Sequence, residues 1–458
     1  MKKIFRAYDI RGVYGSDLTA ELMMRIGQAI GTYVKREMGG SRISVGADIR
    51  TTSELLKRAL EVGLLSTGVS VVSQGITSFG VALFGGWRSR STLSCYITAS
   101  HLPPEWNGLK LYYEDGVGFP TEGIMTIRDM VLEGADFEHV TWMDVKPVEE
   151  RHFLNLYTDF FRDSFQLDGD VSAAVDCGSG ATSLSAPKVL STVGVKLRKI
   201  HCEVDPFFSQ RPSEPSPEVL GNLRSTVLKD SLDFGVAFDG DGDRAVVVDD
   251  EGAFLSTDTL AIILARDLLE EHGRGIILAN VESSRAIEDV LEPLGAKVIR
   301  IPVGHTYLTQ KAKELGAIFG VEKSGHMIMP QYFLFDDAMV IPARLAQLLS
   351  RGEEKLSQLS REIPQYPFRS IAVNCPDEIK FQVIERLKEK YLGKYERVNT
   401  MDGVRVDLEE GWVLIRASNT SPIIRLSAEA RKQHVLKKLV KNFHEDLLKA
   451  IKKENDGG

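Results

Sequence analysis

The chain has 458 residues, is 43% hydrophobic and carries 56 basic against 64 acidic residues, which is enough length for three or four cores at a net charge of −8. That balance excludes a polyanion-coating protein, so nucleic acid is not an expected partner. No run approaches the roughly 18 apolar residues of a membrane helix, and the opening "MKKIFRAYDIRG" lacks the apolar core of a signal peptide, so a cytoplasmic protein without a membrane role is expected.

Three segments repeat one plan of strand, small polar turn, amphipathic helix, glycine and strand: "ISVGADIRTTSELLKRALEVGLLSTGVSVV", "AAVDCGSGATSLSAPKVLSTVGVKLRKI" and "IILANVESSRAIEDVLEPLGAKVIRI", closing at Gly68, Gly194 and Gly295. Repeated βαβ units predict α/β domains with mixed or parallel sheets. About the last ninety residues break the plan with "FRSIAVNCP", "DGVRVDLEE", "GWVLIRASN" and "IIRLSAEA", strands joined by short turns before a long helix, which predicts an antiparallel α+β domain. Boundaries are expected near residues 148, 250 and 365, giving domains 1–148, 149–250, 251–365 and 366–458, with only the terminal "KKENDGG" disordered. Cys95, Cys177, Cys202 and Cys375 stand singly without zinc-type spacing and read as core thiols of a reducing compartment.

Taken along the chain, "ITASHLPPEWNGLK" places Ser100 after an apolar strand. No glycines flank it, as a hydrolase nucleophile elbow would require, so acyl transfer is a weak reading. His101 is not needed to activate it, since successive strand side chains point to opposite faces. Lys110 reads either as a surface lysine or as a proton carrier whose pKa neighbouring cations would lower. The run "GSGATS" at 178–183 lacks the lysine of a nucleotide-binding loop, and no full dinucleotide fingerprint exists.

In "FDGDGDRAVVVDDEG" Asp239, Asp241 and Asp243 alternate with glycines after a strand, so three carboxylates can converge on a hard divalent cation. Arg244 stands where a calcium-binding EF-hand needs glycine, and magnesium is preferred, because three oxygen ligands leave room for a phosphate oxygen and water. A phosphorylated Ser100 would supply the missing ligand and exchange its phosphate with a substrate hydroxyl in line. In "FGVEKSGHMIM" Glu322, Ser324 and His326 at alternate positions suit a polyol reader or an exposed turn. In "LIRASNTSPIIRLSAEA" Arg416, Ser418, Asn419, Thr420, Ser421 and Arg425 suit an anion-wrapping loop or a plain hairpin turn.

Laid in order, "FRAYDIRG", "ITASH" with "NGLK", "DGDGDR", "VEKSGH" and "RASNTSP" resemble the α-D-phosphohexomutase superfamily over nearly the whole chain, most closely its phosphomannomutase/phosphoglucomutase branch. The resemblance implies three related mixed-sheet α/β domains and a smaller α+β C-terminal domain around a central cleft. It implies a phosphorylated Ser100, magnesium held by Ser100 and the three aspartates, and Arg11, Lys110 and Arg244 beside the phosphoserine. Tyr8, His305, Glu322, Ser324 and His326 would face the sugar, and Arg416, Ser418, Asn419 and Thr420 would clamp the phosphate not being transferred. A sugar bisphosphate would serve as intermediate and activator, a small-molecule sugar phosphate as partner, and the chain would be a monomer or homodimer.

The expected reaction interconverts the 1- and 6-phosphates of mannose or glucose. Leu102 replaces an asparagine of the family pattern, "GITSFG" at 75–80 replaces its proline turn, and Glu282 stands where many mannose and glucose enzymes place a lysine. Phosphopentose and glucosamine phosphate therefore stay open as substrates. A silent sugar-phosphate-binding protein and a phosphatase are the readings of other classes.

Overall fold

Strands Arg42–Ala47 and Ser70–Ile76 lie parallel across helix Ser53–Ser66, Ser172–Asp176 and Lys196–Ile200 across helix Ala186–Val193, and Gly275–Asn280 and Ala296–Ile301 across helix Ala286–Leu291. The closing glycines turn the chain with φ of 84° at Gly68, 112° at Gly194 and 98° at Gly295, where a side chain would be strained. These are the three units expected from the repeated pattern. The computed structural model describes residues 2–6, 8–134, 136–418 and 422–456.

Each unit is extended in the same way. A third strand pairs parallel with the first, then a hairpin returns antiparallel: Leu93–Ile97 to Trp106–Tyr113, Phe234–Phe238 to Ala245–Asp249, and Phe319–Val321 to Met327–Ile328. The three hairpin connections carry Ser100, the aspartate run and the Glu322–His326 turn respectively. Each therefore leaves the carboxyl end of a parallel strand, where open α/β sheets bind ligands. Strand Ile10–Val13 and the short Glu149–Glu150 add edges to the first sheet.

The C-terminal sheet runs Phe368–Asn374, Ile423–Ala430, Gly411–Ala417, Val404–Leu408, Val398–Asn399, antiparallel throughout, and is covered by helices Lys380–Leu392 and Gln433–Asp456. Four domains result, three mixed-sheet α/β and one smaller α+β. The last helix continues to Asp456, which corrects the expected disorder of "KKEND": Leu447, Ala450 and Ile451 of the same helix are buried and carry its final turns.

The cores divide unevenly. Phe79, Phe84 and Tyr112 of the first domain, Tyr157 and Phe161 of the second and Phe333 and Phe335 of the third belong to one continuous aromatic core. The C-terminal domain has its own core, and the apolar patch joining it to the third domain consists of Val281, Trp412 and Leu414 with Val303.

Cys177 and Cys202 form a disulfide, with Cα atoms 4.9 Å apart, while Cys95 and Cys375 are buried thiols. This corrects the reading of four free thiols. Cys177 directly follows one parallel strand and Cys202 lies just beyond the end of its neighbour, so strand pairing brings together residues 25 apart in sequence. Among the described residues no helix is long and apolar enough to cross a membrane.

Candidate active site

Ser100 is buried and its Oγ donates to Asp239 Oδ2 at 2.8 Å, which brings the first two motif loops together. The residue has φ of 51°, a left-handed conformation that costs a side-chain-bearing residue roughly 1–3 kcal/mol and that the surrounding structure must enforce. Strand Leu93–Ile97 has ended before it, so the alternation rule no longer applies: His101 Nδ1 lies 3.4 Å from Ser100 Oγ, not on the opposite face as expected. Burial and the nearby Arg244 and Arg11 guanidinia push His101 down to about 2. It therefore offers Ser100 a neutral ring.

Asp239, Asp241 and Asp243 are buried, and one carboxylate oxygen from each lies within 4.8 Å of the others. Burial and the two neighbouring carboxylates push Asp239 well above the usual range. Asp243 is opposed by burial but held well below that range by Lys110, His326 and Arg244. Asp241 Oδ1 and Asp243 Oδ1 are buried and accept no hydrogen bond. Orphaned carboxylate oxygens beside a buried hydroxyl are the donor set a magnesium ion requires, so the residues fit that ion.

Lys110 reaches this cluster, with Nζ 2.9 Å from Asp241 Oδ2 and also bonded to Asp243. The expectation that cations depress its pKa is corrected. Burial does oppose the charge, but the two carboxylates outweigh it and raise the ammonium above its ordinary value. Arg244 bridges Asp239 Oδ2 and Glu214 Oε2, each at 3.2 Å. Arg11 pairs with Asp9 at 2.7 Å and lies near enough to disfavour charge on both His101 and Lys110.

The Glu322–His326 segment is a turn rather than a run of alternating strand positions, because Gly325 at φ 105° folds it back and Glu322 N–H donates to His326 C=O at 2.9 Å. Glu322 is buried, its pKa raised by that burial, and accepts from Gly304 N–H at 2.5 Å. Ser324 Oγ stands 3.5 Å from Glu322 Oε2. His326 bonds Asp336 at 2.6 Å and sits 4.0 Å from Asp243; burial opposes its charge, but these two carboxylates raise it to about 9. His305, at the start of helix His305–Leu315, packs 5.5 Å from the His326 ring and is pushed down to about 4 by burial. The Tyr8 hydroxyl is committed to the Val303 carbonyl at 2.9 Å, so Tyr8 ties the first domain to the loop beside Glu322.

Arg416 lies between Glu282 at 3.6 Å and Asp402 at 3.4 Å. Arg425 is its direct cross-strand partner, which puts two guanidinium groups on one face of the sheet. Ser418 closes the hairpin through its N–H to Ile423 C=O at 3.0 Å, while Asn419 and Thr420 lie outside the described residues. Arg425 is exposed and contributes nothing to the Ser100 corner.

Sequence reasoning missed Asp48, Thr98, Glu214, Asp336 and Asp402. Asp402 had a signal in the Asp-Gly pair of "NTMDGV"; the others reach the site only through tertiary folding.

The chain matches the phosphoglucomutase/phosphomannomutase family over residues 2–137 (alpha/beta/alpha domain I), 155–252 (domain II), 256–366 (domain III) and 371–445 (C-terminal domain). It is 35% identical to a probable phosphoglucosamine mutase of Methanopyrus kandleri, over 97% of each chain. It is 31% identical to a phosphoglucomutase/phosphomannomutase of Thermococcus kodakarensis, over 94% of this chain and 96% of that one. The fold superposes on a phosphoglucomutase/phosphomannomutase family protein of Burkholderia thailandensis with a TM-score of 0.90, at 27% identity and 98% coverage of both chains. With all four of its domains matched in order, the chain belongs to the phosphoglucomutase/phosphomannomutase family of phosphohexomutases, isomerases that act as intramolecular phosphotransferases.

Proposed function

We propose that the protein interconverts the 1- and 6-phosphates of glucosamine through a phosphoserine at Ser100 and a bisphosphorylated sugar. The observation that carries the mechanism is the Ser100 hydroxyl 2.8 Å from Asp239, inside a buried carboxylate cluster with two orphaned oxygens. Asp239, Asp241, Asp243 and Ser100 would hold magnesium, which when bound neutralises charge on the phosphoryl group. Arg244 orients Asp239 and adds positive charge beside the serine. Lys110, kept as an ammonium by Asp241 and Asp243, is assigned to place positive charge beside the transferring phosphate rather than to carry a proton. Glu322 and Ser324 read sugar hydroxyls, with His305, His326 and Tyr8 forming the wall around them. Arg416, Arg425, Ser418, Asn419 and Thr420 take the phosphate that is not transferred.

The amino sugar is favoured over mannose and glucose because Glu282 and Asp402 flank Arg416. A clamp of one guanidinium between two carboxylates suits a ligand carrying both a phosphate and an ammonium group. The name of the Methanopyrus kandleri relative supports the same choice. Mannose and glucose phosphates are the second reading, supported by the name of the Thermococcus kodakarensis relative.

Specificity constants for glucosamine, glucose and mannose phosphates test the choice of sugar, and a higher value for either neutral hexose overturns it. Intact mass tests the mechanism. Ser100 should carry a phosphate that falls transiently on rapid mixing with substrate and is restored as the bisphosphorylated sugar returns it, and Ser100→Ala should remove both this signal and turnover.

A further inference from the structure

Arg50 is 2% exposed and packs against the backbone of the Ser100 loop, and its guanidinium bonds none of the side chains assigned to the sugar or its phosphates. Its guanidinium spends all five N–H donors. Nη2 donates to the carbonyls of Ser100 and Leu102, both at 2.7 Å, and Nη1 to those of Pro103 at 2.5 Å and Trp106 at 3.2 Å. Nε donates to Asp48 Oδ2 at 3.0 Å, and the Phe208 ring covers the guanidinium with its centroid 5.1 Å away. Four carbonyls of one loop therefore converge on a single planar cation.

The same network holds the other side of the Ser100 backbone. Asp48 Oδ2 accepts from Thr98 Oγ1 at 2.8 Å, and Thr98 Oγ1 accepts from Ser100 N–H at 2.9 Å. Both peptide groups of the strained residue are thus fixed, the N–H by Thr98 and the C=O by Arg50. Thr98 Oγ1 also lies 3.1 Å from Asp241 Oδ2, which links this backbone clamp to the aspartate loop. Gly240 of that loop packs against the Ser100 carbonyl so closely that a Cβ there would stand 2.4 Å from its oxygen.

We propose that Arg50, with Asp48 and Thr98, is a positioning residue for phosphoryl transfer: it enforces the left-handed backbone of Ser100 and so aims Oγ at Asp239 and the incoming phosphate. The inference rests on the phosphoserine reading above. A lysine cannot replace the arginine, because a tetrahedral ammonium with three donors cannot reach four carbonyls and a carboxylate in one plane. Misplacing a reacting atom by about 1 Å costs on the order of a hundredfold in rate, while the remote readers Glu322 and Arg416 keep substrate affinity.

The test compares Arg50→Lys, Arg50→Ala, Thr98→Val and Thr98→Ser with the unaltered protein, following the phosphate on Ser100 by intact mass after rapid mixing with sugar phosphate, together with kcat, KM and Tm. In Arg50→Lys the transfer rate and kcat should fall on the order of a hundredfold with KM little changed. Thr98→Val should be impaired and Thr98→Ser close to the unaltered protein, and added guanidinium ion should restore part of the Arg50→Ala rate. Transfer at the normal rate in folded Arg50→Lys overturns the proposal, as does a fall in kcat that only tracks the folded fraction. If the unaltered protein never carries phosphate on Ser100, the phosphoserine reading itself fails, which is a separate result.

Discussion

The two ends of the proposed reaction path are built differently. At the Ser100 corner, Ser100, Lys110 and all three aspartates are buried, every loop is tied to another, and the first three domains share one aromatic core. At the Arg416 end, side chains remain partly open, with 16% of Arg416, 18% of Glu282 and 21% of Asp402 exposed, and the C-terminal domain joins the rest through a small apolar patch and polar contacts such as Arg405 to the Val281 carbonyl. The lesson is a division of labour. The proposed chemistry falls where the geometry is most enclosed, and the proposed grip on the distal phosphate falls on a domain with a smaller apolar seam, which suits a ligand that must be held in two orientations.

Breaking each end should give a different signature. Asp239→Asn should lower kcat by about a thousandfold, the several kcal/mol of charge stabilisation a bound cation supplies, and excess magnesium should not restore it. Steady-state assays over a magnesium series check this.

The disulfide belongs to the rigid end, because Gly180 and Ala181, just beyond Cys177, rest on Gly240 of the aspartate loop. Cys202→Ser should cost about 3.5 kcal/mol of stability, the chain-entropy value for a loop of this size, read by denaturant unfolding with and without reductant.

Arg416→Ala should raise KM about thirtyfold in both directions, the equivalent of about 2 kcal/mol for a charged hydrogen-bonded contact, with kcat nearly unchanged. A fall in kcat alone would merge the two ends into one and sink the comparison.

The smallest effect is expected at the seam of the welded domains. There Asp337 accepts from the Tyr157 hydroxyl at 2.5 Å, and burial raises its carboxyl to about 7. A raised folded-state pKa means that its stabilising contribution is complete below about pH 4 and is lost as pH rises through about 7. The Tm of Asp337→Asn should therefore gain on that of the unaltered protein between about pH 4 and 8, and a constant difference would show that the carboxyl does not titrate in this window.

Much of this was legible in the sequence because it is local. The βαβ units announce themselves by helical periodicity and by closing glycines that need positive φ, and the aspartate run by carboxylates alternating with glycine after a strand. The antiparallel character of the C-terminal domain followed from short turns between alternating strands. What stayed hidden depends on distance along the chain. Nothing in "ADIRTT" says that Arg50 will collect carbonyls from residues 100–106, and nothing in "FDDAM" says that Asp336 will hold His326. The left-handed Ser100 was hidden too, since no glycine marks it, and with it the proximity of His101. The cysteine pair was misread because its closeness comes from strand pairing rather than from spacing.

The common placement of the three motif loops has a further consequence. The same connector, in three copies of one scaffold, carries Ser100, the aspartate run and the Glu322–His326 turn, to which the proposed function gives the roles of nucleophile holder, cation cradle and sugar reader. Each role can then be rewritten within one connector while the sheets beneath stay as they are, so a change of preferred sugar requires no new architecture.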